Sequence, residues 1–202
     1  MTTFDFGDGR GPVAAHRHRN PDGSEGGWVA DTARVSGAAW VSGNAWVYGA
    51  AWVSGAARVS GAARVSGDAR VSGDARVSGK ARVSGNAWVY GAAEVSGAAW
   101  VSGNAWVYGA ARVSGNADII SVGPVGSEGR TVTAWRTADG GHQIVAGCWS
   151  GTADELRDRI AGTPAEWVGQ GDAERWRHEY EAVCALVEAT VAADGTDQKE
   201  TP

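Results

Sequence analysis

The chain has 202 residues, 43% hydrophobic and 20% charged, with a formal net charge of −5 at pH 7. That length holds one extended unit and a smaller domain. No run reaches the ~20 apolar residues of a membrane span. The start, Met1 to Asp8, lacks the basic and apolar regions of a signal peptide, so a cytoplasmic protein with no membrane contact is expected. Cys148 and Cys184 are too few for a disulfide framework and show no zinc spacing.

Residues 1–27 are polar and Gly-rich and read as an irregular lead-in and N-terminal cap. The tract His16-Arg17-His18-Arg19 is only a compositional hint of metal binding, and no metal or cofactor is assigned. From Trp28 to Ala117 one six-residue phrase runs fifteen times without a gap: outward residue, Val, Ser or Tyr, Gly, variable residue, Ala, the first copy carrying Ala30-Asp31 in place of Ser-Gly. Internal repeats of this length indicate a β-solenoid. Ala and Val stand two apart and share one face of a strand, where small and branched side chains suit a narrow interior. The residue between them points outward, and Gly makes the corner. Trp28 is expected to help cap the open end, because solenoid termini need protection.

The register fails at Asp118-Ile119-Ile120-Ser121, and the shaft is placed at 28–122. An α+β domain is expected over 123–192. Thr131–Thr137 and His142–Cys148 read as a hairpin joined through Asp139-Gly140. Thr152-Ala153-Asp154-Glu155 is a capping box opening a helix to about Ala161. Asp172 can cap a second helix to about Ala192, with Trp176, Tyr180, Val183, Cys184, Val187 and Val191 at helical spacing. That stripe must pack on the hairpin, the shaft or another subunit. Residues 193–202 read as a disordered tail. Charge divides unevenly: 28–118 carry eight basic and five acidic residues (+3), and 119–202 carry seven and fourteen (−7).

The Ala-x-Val-x-Gly phrases resemble the hexapeptide repeats of left-handed parallel β-helix proteins, the superfamily of trimeric acyltransferases. The resemblance implies a mainly-β fold: a left-handed triangular helix, 18 residues per coil and about five coils, with a small C-terminal α+β domain. It also implies a homo-oligomer, a trimer in many relatives. Ser121–Ser127 and Gly147–Leu156 resemble a small domain that follows such repeats in bacterial and phage proteins, with no activity attached. The enzymes of the superfamily use a His beside the coils, and a related carbonic anhydrase class holds a metal with His on them. Here His16, His18, His142 and His178 all lie outside the repeats, so no catalytic residue carries over. Cys148 with His142 or His178 could form a nucleophile pair, but buried structural cysteine is the better reading for both thiols.

The fifteen outward positions hold seven Trp, seven Arg and Glu94. At 18 residues per coil, a first face reads Arg34, Trp52, Arg70, Trp88, Trp106. A second reads Trp40, Arg58, Arg76, Glu94, Arg112, and a third reads Trp28, Trp46, Arg64, Arg82, Trp100. Tyr90 and Tyr108 flank Trp88 and Trp106. The leading expectation is a non-enzymatic scaffold whose Trp and Arg columns serve self-assembly or docking of a protein partner, since aromatics and Arg are enriched in interfaces. Simple exterior ladders are the structural alternative. Polysaccharide stacking on the Trp columns, or nucleic-acid binding by Arg58, Arg64, Arg70, Arg76 and Arg82, is the other class. Those five Arg spiral over all three faces beside Asp68 and Asp74. A remote alternative is an acyltransferase-like site between subunits.

Overall fold

A computed structural model describes the backbone of residues 2–162 and 170–197 and the side chains of 2–162 and 173–190. The chain divides into two units, Met1–Asn116 and Ala117–Pro202.

The first unit is the solenoid. Strands β1 (Thr3–Phe4), β2 (Val13–Arg19) and β3 (Glu25–Ala30) precede fourteen two-residue strands, β4 (Arg34–Val35) to β17 (Arg112–Val113), one every six residues. They pair in parallel 18 residues apart, as Arg70 with Trp52 and Trp88 show. Three stacks result: β3-β6-β9-β12-β15, β4-β7-β10-β13-β16 and β5-β8-β11-β14-β17. The three columns are those expected from the repeat. Fifteen strands in three stacks make five coils. Inside, Ala and Val from Val41 to Ala111 are 0% exposed at every inward position. Successive coils bond throughout, as in Trp46 N to Ala63 O at 2.9 Å and Ser54 N to Val71 O at 2.9 Å.

The corner glycines stack on one another. Gly67 has φ +66°, and a Cβ there would lie 2.9 Å from the backbone nitrogen of Gly85. Left-handed φ costs an L-residue about 1–2 kcal/mol before that clash is counted. Gly67→Ala is therefore expected to lower shaft stability by about 2 kcal/mol or more, measured as a shift in the urea midpoint. Ala62→Ser, at an exposed corner position, should leave the midpoint unchanged.

The lead-in is not irregular. β1, β2 and β3 are antiparallel neighbours that extend the stack of the third face, so residues 3–30 form the end of the shaft itself. The chain reverses at Asn20–Ser24, where Asn20 N donates to Ser24 O at 2.9 Å and Gly23 N to Asn20 O at 2.8 Å. Gly26 and Gly27 let β3 approach the coil: a Cβ on either would sit 2.0 Å from Val41 O or 2.2 Å from Ala45 O. Two asparagines close the ladders where a neighbouring coil runs out. Buried Asn20 accepts from Val41 N at 3.0 Å through Oδ1, on the edge strand β5. At the opposite end Asn116 Oδ1 accepts from Trp100 N at 2.9 Å. Each replaces a carbonyl that a further coil would supply.

The second unit is a four-stranded antiparallel sheet, β18 (Ile119–Val125), β19 (Arg130–Arg136), β20 (His142–Ala146) and β21 (Trp149–Gly151), with helices α1 (Ala153–Ala161) and α2 (Gln170–Asp197). Solenoid pairing ends at Val113, so the expected boundary at 122 moves back. Ile119–Val122 pair with Trp135–Val132 instead. Ser121 stands where a corner Gly would be needed, and the chain runs on extended through it within β18. The capping box forms as expected: Glu155 N donates to Thr152 Oγ1 at 3.3 Å, and Thr152 N to Glu155 Oε2 at 2.8 Å.

α2 begins two residues before Asp172, which therefore lies within the first turn, and the backbone stays helical through Asp197. Residues 198–202 and the side chain of Val191 lie outside the described residues. Trp176, Val183, Cys184 and Val187 pack with Leu156, Ile160 and the sheet residues Val125, Val132, Ala134 and Ile144. Half-buried Tyr180 meets Trp176 edge-on at 5.7 Å. The stripe thus packs on its own unit's sheet. No described helix is long and apolar enough to cross a membrane.

Candidate interaction surface

Every outward side chain sits one coil above or below the next, so neighbours in a column lie within ring-stacking reach. On the first face, Trp88 and Trp106 stack with centroids 5.4 Å apart and planes 8° apart. Tyr90 and Tyr108 stack beside them at 4.8 Å. The Arg70 guanidinium lies 4.8 Å from the Trp88 ring centroid and 5.9 Å from that of Trp52. Trp52 Nε1 donates to Ser36 Oγ at 3.3 Å. The face is a single ladder: indole, guanidinium, indole, indole. Cation–π contacts of this exposed kind contribute about 0.5–1 kcal/mol each.

The third face is covered at its N-terminal end. Phe4 stacks on Trp28 at 4.5 Å and meets Trp46 edge-on at 5.3 Å, while Phe6 stacks on Tyr48 at 4.9 Å. Arg17 lies 4.9 Å over Trp28 and Arg64 lies 4.2 Å over Trp46. At the other end of that face Trp100 is 54% exposed, its Nε1 donating to Ser84 Oγ at 3.2 Å. On the second face Arg58 lies 5.9 Å from half-buried Trp40. Glu94 bridges Arg76 at 3.4 Å and Arg112 at 3.6 Å. Trp52, Trp88, Trp100 and Trp106 are the exposed indoles of the shaft, and Trp28, Trp40 and Trp46 are half-buried.

The ladder geometry decides what these columns can offer. A sugar or base stacked between two rings needs roughly 7 Å, twice a van der Waals contact. The 5.4 Å between Trp88 and Trp106 leaves no such slot. Their facing sides cover each other and are closed to such a ligand. Arg64 and Arg70 lie over indoles, and Arg76 faces Glu94. Of the same five-Arg belt, Arg58 lies near Trp40, and Arg82 stands in the ladder between Arg64 and Trp100.

In the second unit a cleft of about 340 Å³ is lined by Arg130, Cys148, Trp149, Arg159, Trp176 and Tyr180 among others. Cys148 is exposed, a correction to the buried reading: β20 ends at Ala146, and Gly147 at φ +65° turns the chain outward. His178 lines a different depression with Arg157 and Glu181, and His142 lines neither. Cys184 is buried, its thiol pushed up by burial and directed at Ala153 O at 3.6 Å.

One ion cluster ties the two helices together. Arg157 donates to Glu181 at 3.0 Å, to Asp154 at 3.3 Å and to both oxygens of Glu188. Hydrogen bonding from Arg157 holds the Glu188 carboxyl below its ordinary 4.5. A depressed folded value stabilises the fold above the unfolded value and loses that contribution as pH falls through the folded one. Acid unfolding of the second unit is therefore expected to steepen below about pH 4.5. Arg157→Ala should flatten that segment of the pH curve, and salt should do so in part. Near-ultraviolet circular dichroism against pH checks both.

A family model described as the YdcK beta solenoid repeat matches residues 39–55 and 69–81. Both stretches lie in the shaft, and the match agrees with the coiled architecture. No curated protein and no solved structure matches the chain.

Proposed function

We propose that this protein is a non-enzymatic, cytoplasmic scaffold that assembles with copies of itself through the open indole columns of its shaft. The observation that carries this reading is an asymmetry of cover. At the N-terminal end the chain spends Phe4 and Phe6 on closing over Trp28, Trp46 and Tyr48. Along the first face Trp52, Trp88 and Trp106 remain 36–41% exposed. Clustered exposed aromatics mark contact surfaces more often than isolated ones do. A protein partner other than a second copy would use the same columns. Glycan stacking draws less support, because the paired ring faces are closed to a sugar.

The test is a combined Trp52→Ser, Trp88→Ser, Trp106→Ser variant. It keeps the inward Ala and Val, so its far-ultraviolet spectrum should match the parent. Sedimentation velocity over two decades of concentration is expected to show the parent self-associating and the variant monomeric. Equal masses for the two would overturn the reading.

A further inference from the structure

We infer that the first face is the contact surface and that a second copy of this chain packs on it antiparallel, about a twofold axis running along the strands and offset by one coil. This rests on the assembly reading and specifies its geometry. The order of residues in the three columns distinguishes the faces. A twofold along the strand direction keeps each column opposite itself and reverses the order of coils.

On the first face the column from the second coil onward reads Trp52, Arg70, Trp88, Trp106. Reversed against itself, Trp52 meets the second copy's Trp106 and Arg70 meets the second copy's Trp88. No arginine faces an arginine, and Arg34 falls beyond the end. In the full-overlap register Arg70 would face Arg70, and the opposite one-coil offset would bury Arg34 and leave Trp106 outside; the offset proposed is the one that covers all three exposed indoles with no arginine pair. The flanking column agrees in bulk. Tyr90 then faces Ser72 and Tyr108 faces Ser54, large against small at both positions.

The other two faces fail the same operation. On the second face every register overlapping three coils or more opposes Arg to Arg or Glu94 to Glu94. On the third face the uncovered coils carry Arg64, Arg82 and Trp100, and each register over three or more of those outer coils sets Arg against Arg. The two third-face registers free of that clash both use Trp28 and Trp46, where Phe4 already lies. Arg70 also suits a dried contact, since its guanidinium lies between the indoles of Trp52 and Trp88. Four coils at ~4.8 Å and a face about 15 Å wide bury roughly 600 Å² in total. That is below the ~1,200 Å² of a standard interface, so the dimer is weak and concentration-dependent.

The third coil offers a matched set of variants: Ser66→Tyr, Ser72→Tyr and Ser78→Tyr, one on each face. Tyr already occupies this column at Tyr48, Tyr90 and Tyr108, so each variant should fold, and circular dichroism verifies it. Sedimentation equilibrium of the full chain is then run from about 5 to 500 µM, a span bracketing the weak affinity expected for this area. The parent, Ser66→Tyr and Ser78→Tyr are expected to dimerise alike. Ser72→Tyr, which sets tyrosine against the second copy's Tyr90, should weaken dimerisation at least about tenfold, and Arg70→Glu should do likewise. If the parent associates but Ser72→Tyr and Arg70→Glu associate equally well, or if the parent forms a trimer, the twofold contact is wrong while assembly stands. A parent that stays monomeric removes both.

Discussion

Val71→Asp is expected to collapse the shaft. Val71 sits in the third of five coils, 0% exposed, in a column of Val and Ala with no polar side chain to receive a carboxylate. Burying an unpartnered carboxylate costs more than the 5–15 kcal/mol that holds a typical domain together. A solenoid cannot route around the fault, because each coil touches only its neighbours. Far-ultraviolet circular dichroism should show loss of the β signal at neutral pH. Partial recovery at low pH should follow, where the carboxyl is neutral. Val71→Ala, which removes volume without charge, should cost about 2 kcal/mol and leave the spectrum intact.

The second large effect is expected at the N-terminal end. Phe6 is 2% exposed, packs with Ala15 and Ala30, and stacks on Tyr48 at 4.9 Å. Phe→Ala at such a site costs about 3–5 kcal/mol. Phe6→Ala should release β1 from β2 and uncover Trp46 and Tyr48. Hydrogen exchange would show protection falling first in residues 3–30, with the central coils retained. A second readout is association. If open indoles drive self-contact, exposing two more aromatics should raise the mass of the variant in solution, not merely lower its melting point.

The shaft was legible because its inward and outward positions repeat without exception. Counting by 18 from Trp52 reaches Arg70, Trp88 and Trp106, and those are the paired residues. The lead-in was not, although it carried signals. Phe4-Asp5-Phe6 alternates at strand period, and Asn20-Pro21-Asp22-Gly23 is a turn tetrad. Their polar neighbours masked both. Gly26 and Gly27 read as loop composition, whereas they mark a close approach of backbone to Val41 and Ala45. In the second unit Asp139-Gly140 located the hairpin. β21 is three residues long, too short for any period, and β18 begins so soon after the last repeat that the expected boundary at 122 falls inside it.

For the candidate surface, sequence named the columns but not the direction in which their rings face. That depends on the separation between coils. At 5.4 Å the facing sides of Trp88 and Trp106 cover each other, which closes the slot that a stacked sugar or base would need. Position in the chain also misled about cover. Trp28, Trp46 and Trp100 share one column, yet Phe4 and Phe6 close two of them and leave Trp100 at 54% exposure. The cover comes from residues outside the repeat, which periodicity does not see.

Exposed indoles that act in assembly make one demand on the protein in solution. Its mass, measured by sedimentation velocity over two decades of concentration, should rise from that of one chain toward that of two, and should fall back when Trp52, Trp88 and Trp106 are replaced. A single-chain mass at every concentration, with the indoles of the first face quenched freely by acrylamide, would contradict the account.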